Sequence, residues 1–217
     1  MPSVRHLNPA ACWIDRDSIP VLLKACPALR CLHVSWAGDY KVMIDTALII
    51  GDIVELAPQL EELCLDTRYN DDTFDEQDRA AAHLGQPSTR ARPLLRAEGH
   101  GLVSLTRLKR LSITAAVLPG EDGMDAVSIS WFREHLPASL RELTLLSNAR
   151  MPVYGWEAQI RDLLRWSAGK RLQAVTVQQG MESMQPIVER YGWKERLEYV
   201  SEDWRRPVYP SSAFERL

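Results

Sequence analysis

One spacing limits this chain's fold more than any other feature. The pattern Leu-x-x-Leu-x-Leu, with aliphatic variants, begins at Leu29, Leu60, Leu108, Leu140 and Leu172. Successive copies are thus 31, 48, 32 and 32 residues apart. A unit of this size cannot enclose a core of its own and must stack on its neighbours, so a near-constant period predicts a solenoid. Within each copy the apolar positions alternate with others, as in Leu63-Cys-Leu65 and Leu143-Thr-Leu145. A two-residue period predicts a strand in which the second leucine and the final aliphatic residue face inward. The first leucine is expected to pack at the start of the strand.

Helical signals fall between the copies. Asp17-Ser18 is a cap signal before a helix with Ile19, Leu22, Leu23 and Cys26 on one face, and Pro27 stops it. From Tyr40 to Ala57, the residues Met43, Ala47, Ile50, Val54 and Ala57 recur at helical steps, and Pro58 follows. A short apolar face of Ile129, Phe132 and Leu136 precedes Pro137. Trp156, Ile160, Leu163, Leu164 and Ser167 mark the next helix, with Glu157 and Arg161 at the stabilising i,i+4 spacing. Met181, Met184, Val188 and Tyr191 mark another. Arg196–Val200 reads as a further strand, and 204–217, with Pro207 and Pro210, as an irregular tail. Residues 1–203 therefore read as one repeat domain.

The long interval contains a charged insertion, 66–101, acidic in its first half and arginine-rich in its second. Its composition predicts a loop, partly disordered, because it offers little apolar surface to offset the entropy of ordering. The acidic run lacks the glycine turn and terminal Glu of a calcium-binding loop. Cys12, Cys26, Cys31 and Cys64 lack the paired spacing of a zinc knuckle and read as free thiols in reducing surroundings. No metal or cofactor is expected. The N-terminal residues carry no apolar core of a signal peptide, and the run Val42–Ala57 holds Asp45, Asp52 and Glu55, which argues against a membrane span. The expected location is intracellular, cytoplasmic or nuclear.

The stretches Pro27-x-Leu29, Pro58-x-Leu60 and above all Leu136-Pro137-Ala-Ser-Leu140-Arg-Glu-Leu143 carry a family resemblance. They resemble the leucine-rich repeats of many fungal proteins, especially the repeat regions of F-box-type proteins, over roughly residues 4 to 200. The resemblance implies an α/β leucine-rich-repeat solenoid of about five to seven irregular repeats, with a curved parallel sheet inside and helices on the convex side. It further implies a surface that holds a protein, which in the F-box proteins is a substrate delivered to a ubiquitin ligase. It covers the repeats alone, since no F-box module is seen before Val4 and the asparagine usual after the strand is missing from most copies.

On that architecture the outward strand positions form the expected partner-binding surface, a concave face for a protein or peptide. They are His33 and Ser35; Glu62 and Asp66; Arg110, Ser112 and Thr114; Glu142, Thr144 and Leu146; and Thr176 and Gln178, with Cys31, Cys64 and Ala174 in line with them. Trp36, at a strand exit, is the tryptophan expected to be exposed, while Trp156 and Trp166 are expected to pack. Such a mixed polar face suits a protein of patterned charge better than a cofactor, which needs a deep apolar pocket. The competing class is an α/β enzyme with its site at the strand C-terminal ends, such as Ala37-Gly-Asp39 or Ser147-Asn-Ala149. No glycine-rich phosphate loop or Gly-x-Ser-x-Gly elbow occurs, so a non-catalytic scaffold is the expected function. A net charge of −3 makes nucleic acid an unfavoured partner, even with Arg107, Lys109 and Arg110 clustered together.

Overall fold

The computed structural model describes residues 3–9, 14, 17–37, 46–69, 101–114, 128–146, 157–167, 171–177, 193–200 and 209–216. In chain order they form β1 (His6–Leu7), α1 (Ser18–Ala25), β2 (Cys31–Ala37), α2 (Thr46–Leu56), β3 (Glu62–Tyr69) and a 3-10 turn (Leu102–Ser104). Then come β4 (Arg110–Thr114), α3 (Trp131–His135), β5 (Glu142–Leu146), α4 (Glu157–Trp166), β6 (Ala174–Val177), β7 (Trp193–Val200) and β8 (Tyr209–Arg216). The first six strands lie side by side in chain order, all parallel. The fold is therefore α/β, built on an open six-stranded parallel array.

Among the described residues, each of the five connections within the array contains one helical element. Those elements touch in the same order as the strands: α1 meets α2, α2 meets the 3-10 turn, the turn meets α3, and α3 meets α4. They form one layer on one side of the sheet. The physical reason is handedness: parallel crossovers are right-handed, so strands added always on the same side place every crossover on the same face.

Register explains why one face of the sheet is apolar. Leu32 pairs with Leu63, then Leu111, Leu143 and Val175, and Val34 with Leu65, then Ile113, Leu145 and Val177. All ten are buried, in one cluster with Ile19, Leu23, Ile49, Ile50, Ile53, Phe132, Ile160, Leu163 and Leu164 of the helices. Burying a leucine or valine side chain stabilises by about 1.5–3 kcal/mol, so these two aliphatic ladders and their helical cover hold the units together.

In four of the five copies the first leucine has a more specific task than packing. The Leu29 N–H donates to Cys26 O, Leu60 to Ala57 O, Leu108 to Leu105 O and Leu140 to Pro137 O, at 2.9–3.1 Å. Each leucine thus closes a four-residue turn and buries its side chain beneath it, at 0–4 % exposure. Pro27 and Pro58 hold the second turn position, where a fixed φ is favourable. The helices before them already end at Ala25 and Leu56, so these prolines shape the strand start as well as preventing helix continuation.

Several expectations are corrected. The Asp17 side chain makes no capping hydrogen bond to α1. The α2 residues driven into the core are Ile49, Ile50 and Ile53, a face rotated from the expected one, because Leu48 to Val54 is apolar almost all round and packing chooses among its sides. Ile129 is 61 % exposed, and Trp131 joins Phe132 in the core instead. The tail is not irregular throughout: β8 lies between β6 and β7, antiparallel to both. Strand β7 is accordingly a hairpin partner rather than a further parallel rung. Residues 70–100 of the charged insertion and the helix expected around Met181–Tyr191 lie outside the described residues, while Asp66–Tyr69 continue β3.

The hairpin is tied to the array through Trp193, which is fully buried. Its indole N–H donates to Leu164 O at 3.1 Å, near the end of α4, where carbonyls lack intrahelical donors. Ser167 Oγ donates to the same carbonyl at 3.2 Å and to Leu163 O at 2.7 Å.

Candidate interaction surface

The sheet face turned away from the helices is ordered by the same register. Its first row runs His6, Cys31, Glu62, Arg110, Glu142, Ala174 across β1 to β6. The second runs His33, Cys64, Ser112, Thr144, Thr176. Adjacent strands sit about 4.8 Å apart, so each row presents one side chain per strand at that spacing.

The first row is a ladder of alternating charge. Arg110 Nη2 donates to Glu62 Oε2. Glu62, and then Glu142, hold the guanidinium still more firmly in its charged form. The Arg110 and Glu62 side chains are 56 % and 36 % exposed, so solvent screens the pair and it adds little to stability. It fixes side-chain positions instead. At the end of the ladder, burial and then the Glu62 charge and hydrogen bond push the Cys31 thiol up, with Arg110 acting weakly in the opposite sense. The thiolate, the nucleophilic form, is thereby disfavoured at Cys31. Cys26, Cys31 and Cys64 are free thiols, and among the described residues no group of His, Cys, Asp and Glu could hold a metal ion.

Of the residues expected on this face, His33, Ser35, Glu62, Arg110, Ser112, Glu142, Thr144 and Thr176 are half-buried or exposed and lie together on the sheet. Five others are buried, Cys64 at 9 % among them, which corrects the expectation for them. Trp36 is 4 % exposed because it shares the parity of Leu32 and Val34 and points inward, where its indole N–H donates to Ile14 O at 3.0 Å. Asp66 is 5 % exposed. Thr114 is fully buried and accepts the Thr67 N–H at 2.9 Å, stitching β3 to β4. Leu146, its partner on β5, is 5 % exposed. The accessible face therefore narrows to the first two rows, apart from the buried Cys64, together with Ser35. Gln178 lies outside the described residues.

A second polar feature lies just ahead of the strands and was not singled out as a site by sequence reasoning. Arg30, Glu61, Lys109 and Arg141 each use the main-chain carbonyl to accept the first two N–H groups of the neighbouring unit, as when Glu61 O receives Lys109 N and Arg110 N at 2.8 and 3.1 Å. Their side chains border an open depression of about 310 Å³, together with Thr106, Arg107, Ser139 and Arg171. The signal was present in the sequence as cations immediately flanking the first leucine of several copies.

Among the described residues no helix is long and apolar enough to cross a membrane. No protein-family model matches the chain, and no curated protein is significantly similar to it in sequence.

Proposed function

We propose that this chain is a non-catalytic interaction scaffold of the leucine-rich-repeat kind, which holds a protein or peptide partner on the open face of its parallel sheet. The reading is carried by one observation: four consecutive strands, β3 to β6, share a register that lines up Glu62, Arg110 and Glu142 in one row and Ser112, Thr144 and Thr176 in the next. A register-ordered array of alternating charge and hydroxyl groups suits a partner of complementary pattern, since polar groups fixed in place set specificity and register. The monotonic strand order also favours a scaffold over a doubly wound enzyme, because the crevice such enzymes use forms where strand order reverses. Support of a ubiquitin ligase is the narrower form of this proposal and rests on the resemblance carried by Leu136–Leu143.

The test is affinity capture with wild-type protein and a variant carrying Glu62→Lys, Arg110→Glu and Glu142→Lys. Loss of specific partners from the folded variant supports the reading. An identical partner set would exclude the first row as the recognition surface.

A further inference from the structure

The depression ahead of the strands is a separate surface with its own chemistry. Five cations, Arg30, Arg107, Lys109, Arg141 and Arg171, border it against the single carboxylate of Glu61. The chain as a whole carries a net charge of −3, so this local excess is a departure from its surroundings.

Glu61 is engaged from two sides, by Arg30 at 3.1 Å and by Lys109. Its single charge offsets one of those two and is felt more weakly by Arg107, and Arg107, Arg141 and Arg171 have no ion-pair or hydrogen-bond partner for their side chains among the described residues. The fold does not require their charge. Arg141 stands at the strand-start position that Gln173 occupies in the next unit, and the structural work there is done by main-chain carbonyls. Arg107 and Arg171 stand at the turn position held by Gln59 and Ser139 in other units, and both of those bond to a neighbouring unit's carbonyl, Pro27 O at 2.9 Å and Leu108 O at 2.7 Å. The arginines thus replace residues that tie units together and have no such tie themselves.

We propose that this depression binds a short acidic segment of a protein partner, with Arg107, Arg141 and Arg171 receiving its carboxylates. From β2 to β6 the strand starts span about 19 Å, the length of roughly six extended residues. Guanidinium forks match carboxylate geometry and favour paired contacts over a diffuse field. A single-stranded nucleic acid fits less well, since none of the lining residues is aromatic and bases would have no stacking platform. A longer polyanion would also meet Glu62 and Glu142 in the adjoining row. The site lies off the open sheet face and does not depend on that face binding anything.

Fluorescence anisotropy with a labelled Asp hexapeptide tests this. The expected result is saturable binding at low salt that weakens steeply by 0.3 M salt. The variant Arg107→Gln, Arg141→Gln, Arg171→Gln should bind at least about ten-fold more weakly, with an unchanged far-UV circular dichroism spectrum. Arg133→Gln, an exposed cation of α3 that does not line the depression, should bind the peptide as wild type does. Absence of binding at low salt, equal affinity in the folded triple variant, or tighter binding of a labelled uridine hexanucleotide would each overturn the proposal.

Discussion

Trp193 gives the sharpest test of how the array is held at its C-terminal end. Its side chain is fully buried, and truncation to alanine would remove the largest fully buried side chain among the described residues. The expected cost of Trp193→Ala is about 3–5 kcal/mol, from lost transfer energy and the cavity left behind. The more discriminating variants are subtler. Trp193→Phe keeps much of the packing and removes the donor to Leu164 O, and Ser167→Ala removes a hydroxyl whose one proton is shared between Leu163 O and that carbonyl. Each loss alone leaves that carbonyl one partner and should cost about 1 kcal/mol for the hydrogen bond, with a further packing loss for the indole. The double variant removes both donors and should be destabilised by about 1 kcal/mol more than the sum of the single changes. Urea unfolding followed by far-UV circular dichroism measures this without interference from the other tryptophans, and hydrogen exchange locates any loosening in α4. Strictly additive effects would refute the shared-acceptor argument, and a Trp193→Ala variant within 1 kcal/mol of wild type would refute the anchoring role altogether.

Two further outcomes follow from the polar rows. The Glu61 carboxyl lies below its ordinary value of 4.5, through the Lys109 hydrogen bond and charge first and then Arg30 and Arg107. A depressed carboxylate stabilises the folded state fully above that ordinary value and loses its contribution as pH falls through the folded one. The difference in urea midpoint between wild type and Glu61→Gln should therefore shrink as pH is lowered from 7 to 3, and a gap that stays constant would contradict the ion pairs as its source. On the sheet face, Glu62→Gln removes one cause of the raised Cys31 thiol and should speed its alkylation by iodoacetamide at pH 8, with burial still setting most of the protection. Peptide mass spectrometry reads the site directly, and an unchanged rate at Cys31 would show that the carboxylate does not reach the sulfur.

What could be read from the sequence is what repeats. Leu29, Leu60, Leu108 and Leu140 announce both the turn they close and the strand they precede, because one steric solution recurs in each unit. The inward pairs such as Leu111 and Ile113 follow from two-residue alternation. Trp36 was legible by the same parity, yet an aromatic residue at a strand end also invites an exposed reading. The orientation of α2 was not legible, since a helix apolar on most sides is turned by its neighbours rather than by its own pattern. Strand β8 escaped because Pro210 and Ser211-Ser212 argue locally against a strand, and the ladders on either side override them. The burial of Asp66, Thr114 and Leu146 depends on depth along the strand, to which alternation is blind.

The insertion of β8 between β6 and β7 has a mechanical consequence. At the opposite edge, β1 contributes only His6 and Leu7, paired to β2 alone, so tension applied there would peel a single short ladder one bond at a time. Tension drawn through Arg216 meets a strand clamped by ladders on both flanks, with Ala174–Val177 on one side and Trp193–Val200 on the other. Those bonds are loaded together, and the array is accordingly weak in the hand at its first strand and stiff at its last.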